Sequence, residues 1–361
     1  MSSLTIATSQ GSYQVIIGSE VLSDELIRHS AAVVDPVLQA SVQGLTAVIS
    51  FEASESEKTL QGVERLLVDM NALGMKRGST LAAVGGGVIQ DVVTLASSIY
   101  MRGIPWVYAP TTMMAMLDSC IGGKSSINVT GIKNLVGNIY PPSRVIVDVT
   151  LAQSLPVEAR VAGYSEAVKI CFAGGPAALD RFMELAIPAE MYGNESSSRE
   201  TVELTHHVLN VKKWFIEIDE LDRRERLLLN FGHTFGHALE SALDFSVPHG
   251  VAIAIGMNAA LKFSDHRSEQ AHLLQSYITS LGAQLPTTFR SRLEAPDWER
   301  FSRALASDKK GTPTHLRFVL ESRTGVLELV ERERSQATFD KARESMSQAL
   351  DEFAQVCGGG L

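Results

Sequence analysis

The residues best equipped for chemistry cluster in the second half of the chain. Asn230-Phe231-Gly232-His233-Thr234-Phe235-Gly236-His237 sets two histidines at i and i+4, on one face of a helix. Pro248-His249-Gly250 adds a third, in a loop before another apolar segment. Gly163–Lys169 reads as a helix with Glu166 and Lys169 on one face. His233, His249 and Glu166 suit a divalent metal with one open position, as two imidazoles and a carboxylate do in catalytic zinc sites. His237 then serves as an acid, a base or an anion partner. A lone histidine is more often a satisfied core residue than a ligand. Three histidines, each beside a glycine, favour the ligand reading. No His-Glu-x-x-His is present, which excludes the zinc protease reading. Arg226, Asn230, His233 and His237 step by three or four residues, so a continuous helix would line one cavity with them. The alternative is a solvated helix face, and Asp222–Glu225 reads as one.

Two glycine-rich segments in the first half suit anions. Ala82–Asp91 reads as a strand, then Gly85-Gly86-Gly87, then a helix start. Glycine admits close backbone approach, and a helix N-terminus offers N–H groups and a positive dipole end, so the turn can hold a pyrophosphate. An ordinary tight turn fits equally well, and the spacing is not Gly-x-Gly-x-x-Gly. In Asp118–Asn128 the run Gly122-Gly123-Lys124-Ser125 has a superficial likeness to the loop that binds nucleoside triphosphates. The first glycine of that motif would fall on Asp118, which rejects it. Lys124, Lys133 and Asn134 remain either a phosphate-ester site or a solvated loop, and Arg102 in Tyr100–Gly103 is a further anion partner.

These residues need elements to position them. Tyr13–Ile17, Ala31–Val34, Leu45–Ser50, Thr80–Val84, Trp106–Ala109 and Val145–Val149 read as strands, and Glu57–Leu73 and Asp91–Tyr100 as helices. That alternation predicts a parallel α/β sheet. After Pro156 helices dominate, at Val157–Phe172, Ala177–Ala186, Arg199–Ile218, Arg226–Leu243, Val251–Asp265, Glu269–Leu281 and Ala337–Val356. Leu316–Leu320 and Val326–Val330 suit a hairpin. The boundary lies near Leu151–Pro156, dividing the chain into 1–155, an α/β domain, and 156–361, a mostly helical domain. The 361 residues fit two domains.

Composition narrows the class. Lys plus Arg is 32 and Asp plus Glu is 41, a net charge of −9 that argues against nucleic-acid binding. Hydrophobic residues are 45% and charged residues 20%, as in globular proteins. The longest largely apolar run, Gly250–Leu261, is too short to span a membrane, and no signal peptide is visible. Three cysteines make no disulfide framework, which fits a reducing cytoplasm.

From Tyr13 to about Val330 the chain resembles the sugar phosphate cyclases, and among them the 3-dehydroquinate synthases. Gly85–Asp91, Tyr100–Gly103, Pro110–Gly137, Ala162–Lys169 and Asn230–His237 with His249-Gly250 carry the resemblance. It implies a Rossmann-like NAD-binding domain, a helical metal-binding domain, an active site in the cleft between them, and a cytoplasmic homodimer. It also implies a lyase of the shikimate pathway of aromatic amino acid biosynthesis. That lyase converts 3-deoxy-D-arabino-heptulosonate 7-phosphate to 3-dehydroquinate and phosphate through transient oxidation by NAD+, phosphate elimination, reduction and aldol closure. In this resemblance Glu166, His233 and His249 bind zinc or cobalt. Lys124, Asn134 and His237 match phosphate contacts, and Lys133 and Lys169 match other substrate lysines. Arg102 reaches the partner subunit's phosphate pocket. Lys212 and Arg226 hold the substrate carboxylate, with Asn230 beside them. Gly85, Gly86, Gly87, Asp91, Thr111 and Thr112, with Glu55 and Lys58, match NAD contacts, and Asp118 lies near the nicotinamide. Lys309 or Lys310 matches a late pocket lysine.

Some positions depart from the family pattern. Gln90 stands for a glycine before Asp91, Ser125-Ser126 for Thr-Gly after Lys124, Arg224 for a glycine, Asp222 for a glutamate, and Val251 for an acidic residue. These leave open a related cyclase acting on sedoheptulose 7-phosphate or another sugar phosphate. Less favoured alternatives are a metal-dependent polyol dehydrogenase and a non-catalytic binding protein.

Overall fold

The computed structural model describes residues 1–22, 31–41, 47–186, 195–264, 267–307 and 311–359. The chain forms two compact units, one of Met1–Leu155 with Glu190–Leu221, the other of Pro156–Ala189 with Asp222–Leu361. Lys309 and Lys310 lie outside the described residues.

The first unit is built on strands β1 (Ser2–Thr8), β2 (Gly11–Gly18), β3 (Ala31–Val34), β4 (Val48–Ser50), β5 (Leu81–Gly85), β6 (Trp106–Pro110) and β9 (Arg144–Asp148), with a small hairpin of β7 (Ile127–Val129) and β8 (Ile132–Val136). The sheet order is β1-β2-β9-β6-β5-β3-β4, and β1 alone runs antiparallel, on β2. β3, β5 and β6 are buried along their whole length. This explains their unbroken apolar sequences, since a parallel strand covered on both faces has no polar side. Val34, Ala82, Val84, Val107, Ala109 and Ile146 form the core there.

The helix Leu60–Ala72 starts at Thr59, whose side chain accepts from Gly62 N. It buries Val63, Leu66 and Met70 at steps of three and four. Register pairs Gly85 with Pro110, and Thr111 N donates to Gly85 O at 3.1 Å. The glycine turn and Thr111-Thr112 therefore share the carboxyl edge of the sheet, where open parallel sheets bind ligands.

The helix Glu195–Ile218, expected in the helical domain, belongs to the first unit instead. Its C-terminal end holds the first hairpin of the sheet: Glu217 accepts from Ala7 N and Glu220 from Ser9 N, each at 2.8 Å.

In the second unit His249–Phe263 is the central helix, buried from Gly250 to Leu261. A helix apolar all round is a core helix, which accounts for the longest apolar run of the sequence. Val157–Ala173, His233–Ala242 and Gln336–Val356 pack against it. Strands β10 (His315–Glu321) and β11 (Leu327–Glu333) form the expected hairpin. Among the described residues no helix is long and apolar enough to cross a membrane.

Arg226–Leu243 is not one helix. A short 3-10 segment, Glu225–Asn230, precedes Gly232 at φ +77°, and the helix begins at His233. A Cβ at Gly232 would sit 2.7 Å from Met257 Cγ, so glycine meets both the dihedral and the close approach.

Candidate active site

The helices of the second unit bring three donors together. Gly250 lies so close to the helix Val157–Ala173 that a Cβ would stand 2.1 Å from Ala162 O. That contact sets His249 beside Glu166, one turn further along the neighbouring helix. Glu166 is 1% exposed. Its Oε1 lies 3.6 Å from His249 Nε2 and 4.0 Å from His233 Nε2. Donors bound 2.0–2.1 Å from a tetrahedral zinc stand about 3.4 Å apart, so this carboxylate and these two imidazoles fit a divalent ion.

The other carboxylate oxygen, Oε2, is held by the Lys169 ammonium, itself 3% exposed. Lys169 is thus the counter-ion of Glu166. His249 Nδ1 is 3.1 Å from Glu240 Oε1, and His233 Nδ1 is 3.3 Å from Phe231 O. Burial opposes protonation of His249, but the hydrogen bond to Glu240 and the charges of Glu240 and Glu166 raise its pKa above the ordinary value. His237 is exposed, and its ring centroid is 5.3 Å from that of His233. The ligand nitrogens of His233, His237 and His249 all lie within 4.8 Å of one another, so a three-histidine set competes with the Glu166 set on geometry alone. Glu240 escaped the sequence reading, although its spacing of seven from His233 places it two turns along the same face.

The break at Gly232 changes which residues share a surface. Asn230 and Thr234 line a cavity of about 320 Å³ with Asp222, Arg223, Arg317 and Leu329. The expectation that Arg226, Asn230, His233 and His237 step along one helix into one cavity is therefore corrected. Asp222 and Arg223, read as a solvated face, border that cavity. Arg226 is buried at 3% exposure.

In the first unit the predicted residues fall into three groups. The first is the glycine turn. A Cβ on Gly85 would meet Ile89 at 2.4 Å, and one on Gly86 would meet Thr112 Cγ2 at 2.9 Å, while one on Gly87 meets nothing within 4 Å. The first two glycines are demanded by packing. The third leaves open space at the start of the helix Gly87–Ile99, where an anion finds N–H groups.

The second group joins cofactor and phosphate candidates. Lys58 Nζ pairs with Asp91 Oδ2 at 2.8 Å and donates to Asn134 Oδ1 at 2.8 Å. Burial raises the Asp91 pKa above the usual carboxylate value, against the pull of Lys58. Ser126, where the family pattern has glycine, donates its Oγ to Asn134 Oδ1 at 2.8 Å and its N–H to Asp91 Oδ1 at 3.1 Å. Glu55 accepts from Asn128 at 2.8 Å, and Asn128 accepts from Asn134 N at 2.9 Å. The β7–β8 hairpin turns through Thr130 and Gly131, at φ +49° and +81°. It carries Lys133 and Asn134 on its exposed strand, and Lys124 is exposed as well.

The third group is Asp118 with Lys212. The Lys212 ammonium bonds the Asp118 carboxylate, and the Asp118 carbonyl at 2.5 Å. Lys212 belongs to the first unit and Arg226 to the second, so the two are placed by different scaffolds. Burial, opposed by Lys212 and aided by Asp118, pushes the Cys120 thiol up to about 12, which removes it as a nucleophile at neutral pH. Arg102 is exposed at the centre of three consecutive positive-φ residues, Met101 (+49°), Arg102 (+69°) and Gly103 (+111°).

Gln90 explains how this chain tolerates losing a glycine. Its Nε2 donates to Ser119 O, and Ser119 Oγ donates to its Oε1, both at 2.6 Å. The side chain is 4% exposed and ties the helix Gly87–Ile99 to the wide turn Ala115–Ser119 that carries Asp118. Gln90→Gly is expected to lower the melting temperature by a few degrees, even though it restores the family residue. Unpairing buried polar groups costs about 1–3 kcal/mol. An unchanged thermal melt would show that the pair contributes nothing.

The chain matches the 3-dehydroquinate synthase N-terminal family over residues 48–162 and the 3-dehydroquinate synthase C-terminal family over residues 163–311. It is 37% identical over 276 residues to a 3-dehydroquinate synthase of Rhodospirillum rubrum, covering 74% of this chain and 70% of the relative. Its fold is shared by a 2-deoxy-scyllo-inosose synthase solved with carbaglucose-6-phosphate, NAD+ and Co2+, at TM-score 0.76 and 24% identity, covering 95% of this chain and 100% of that one. It is shared also by a 2-epi-5-epi-valiolone synthase of Streptomyces hygroscopicus with NAD+ and Zn2+ bound, at TM-score 0.77 and 22% identity, covering 95% and 98%. Matched by both family models across residues 48–311 and by this relative at 37% identity, the chain belongs to the 3-dehydroquinate synthase family.

Proposed function

We propose that the protein converts 3-deoxy-D-arabino-heptulosonate 7-phosphate to 3-dehydroquinate and inorganic phosphate. The observation that carries this is the convergence of Glu166 Oε1 with His233 Nε2 and His249 Nε2, on a chain of this family. NAD+, when bound, accepts a hydride from a secondary alcohol of the substrate and later returns it, while a zinc or cobalt ion acts as Lewis acid on that oxygen.

The chain's own residues manage charge and position. Glu166, His233 and His249 are the ion's donors, with Lys169 neutralising Glu166. The Gly87 helix start offers N–H groups to the cofactor's pyrophosphate, with Thr111 and Thr112 beside it and Asp91, Lys58 and Glu55 fixing the adjoining loop. Lys124, Lys133 and His237 offer charge to the substrate phosphate, which must be stabilised as it leaves. Asn134 Oδ1 already accepts from Lys58 and Ser126, so its amide nitrogen is what it has to offer an anion. Arg226 meets the substrate carboxylate, and Asn230 adds a polar contact. Lys212 holds Asp118 near the nicotinamide. The same reading makes the protein a cytoplasmic homodimer serving aromatic amino acid biosynthesis through the shikimate pathway, with Arg102 presented to the partner subunit.

The test is incubation with NAD+, Zn2+ or Co2+ and each candidate heptulose phosphate in turn. Phosphate release from the deoxyheptulosonate phosphate, with no net NADH, is the expected result. Release from sedoheptulose 7-phosphate alone would make the enzyme a cyclase of the alternative kind, and accumulating NADH would make it a polyol dehydrogenase. Arg226→Lys is expected to raise KM for the carboxylate-bearing substrate about 10- to 100-fold, the equivalent of a charge-assisted hydrogen bond of about 1.5–3 kcal/mol. An unchanged KM would argue for a substrate without a carboxylate.

A further inference from the structure

Each proposed metal donor has a second polar atom turned away from the point of convergence, and each of those atoms is occupied. Lys169 holds Glu166 Oε2. The Phe231 carbonyl lies 3.3 Å from His233 Nδ1, and Glu240 Oε1 lies 3.1 Å from His249 Nδ1. A carbonyl and an ionised carboxylate only accept hydrogen bonds. Both histidines therefore carry their proton on Nδ1, leaving Nε2 as a lone-pair donor facing Glu166 Oε1. Glu240 is partly buried, with its side chain 15% exposed, so solvent weakens this bond little.

We infer that Glu240 is a positioning residue of the metal centre. It fixes the tautomer and ring orientation of His249 and strengthens Nε2 as a ligand, in the manner of carboxylate–histidine–metal triads. The geometry behind this is local. Glu240 stands two turns along the helix from His233, and His249 begins the next helix, so one helix face supplies one ligand and the support of another. The inference rests on the metal reading above.

The experiment measures Co2+ and Zn2+ affinity by competition with a chromophoric chelator, for wild type, Glu240→Gln and Glu240→Leu. The visible spectrum of the Co2+-loaded forms is recorded alongside. Glu240→Leu is expected to weaken metal binding about 10- to 100-fold and to alter the Co2+ bands. Glu240→Gln, which keeps an acceptor oxygen, is expected to lose less than about tenfold and to keep the band positions. A merely structural role would lower the melting temperature of the metal-free variants without moving affinity or spectrum. Wild-type affinity and spectrum in Glu240→Leu would overturn the inference and leave the metal reading standing. If Glu240→Leu does not fold, Glu240→Ala replaces it under the same criterion. Wild-type protein that binds neither ion more tightly than His249→Ala would overturn both.

Discussion

His249→Ala is expected to leave a folded protein that purifies without stoichiometric metal and turns over at least about 10³-fold more slowly. The ion contributes several kcal/mol of transition-state stabilisation, and each 1.4 kcal/mol is a factor of ten. Folding should suffer little. His249 is the first residue of its helix and its side chain is 33% exposed, so its removal opens no core cavity. Metal analysis of the purified protein, with turnover measured alongside, checks this. The partner variant His237→Ala decides between the two donor sets. In the Glu166 reading it keeps the metal and loses turnover, because His237 serves the phosphate. In the three-histidine reading it loses the metal too, while Glu166→Gln keeps it. Stoichiometric metal with wild-type turnover in His249→Ala would sink the assignment of this ligand.

Lys169→Met is expected to destabilise the metal-free protein by about 3–5 kcal/mol, because it leaves the Glu166 carboxylate buried without its counter-ion. The sign of the rescue is the sharper part. A dication brought to Glu166 Oε1 replaces the missing ammonium, so added Zn2+ should raise the melting temperature of Lys169→Met more than that of wild type. A ligand that binds only the native state stabilises by RT ln(1 + [L]/Kd), and this term grows if the unneutralised carboxylate binds the ion more tightly. Thermal melts with and without metal, for both proteins, test this. Equal metal-free melting temperatures would show that Lys169 does not neutralise Glu166.

Much of the fold was legible because local patterns and burial agree. The strand residues Ala31–Val34, Leu81–Val84 and Trp106–Ala109 carry no charged side chain, and the structure covers both their faces. The clustering of His233, His237 and His249 was legible because three histidines beside glycines need an explanation. The structure supplies one, since Gly232 and Gly250 each let two backbones approach closely.

What the sequence concealed is long-range. The helical spacing of Arg226 to His237 suggests one helix, and only the dihedral at Gly232 shows the break. Spacing shows that Lys169 and Glu166 share a helix face, but not that both are buried and paired there. Gln90 looked like a defect in the glycine turn, and its compensation by Ser119 lies 29 residues away. The placement of Glu195–Ile218 depends on which surface it covers, and helical periodicity carries no such address.

That helix has a consequence for how the protein is made. The first unit is not finished when its sheet is finished. Its face at β1 and β2 and the partner of Asp118 wait for Glu195–Leu221, which is synthesised after the first stretch of the second unit. With chain elongation at about 5–20 residues per second, β1 to β9 spend seconds on the ribosome without their covering helix. The early sheet is thus a nascent-chain liability, and an arrest at Leu155 would yield a fragment with an uncovered apolar face. The first unit therefore has to wait for a later stretch of chain, and Lys212 reaches Asp118 only once Glu195–Leu221 has been made.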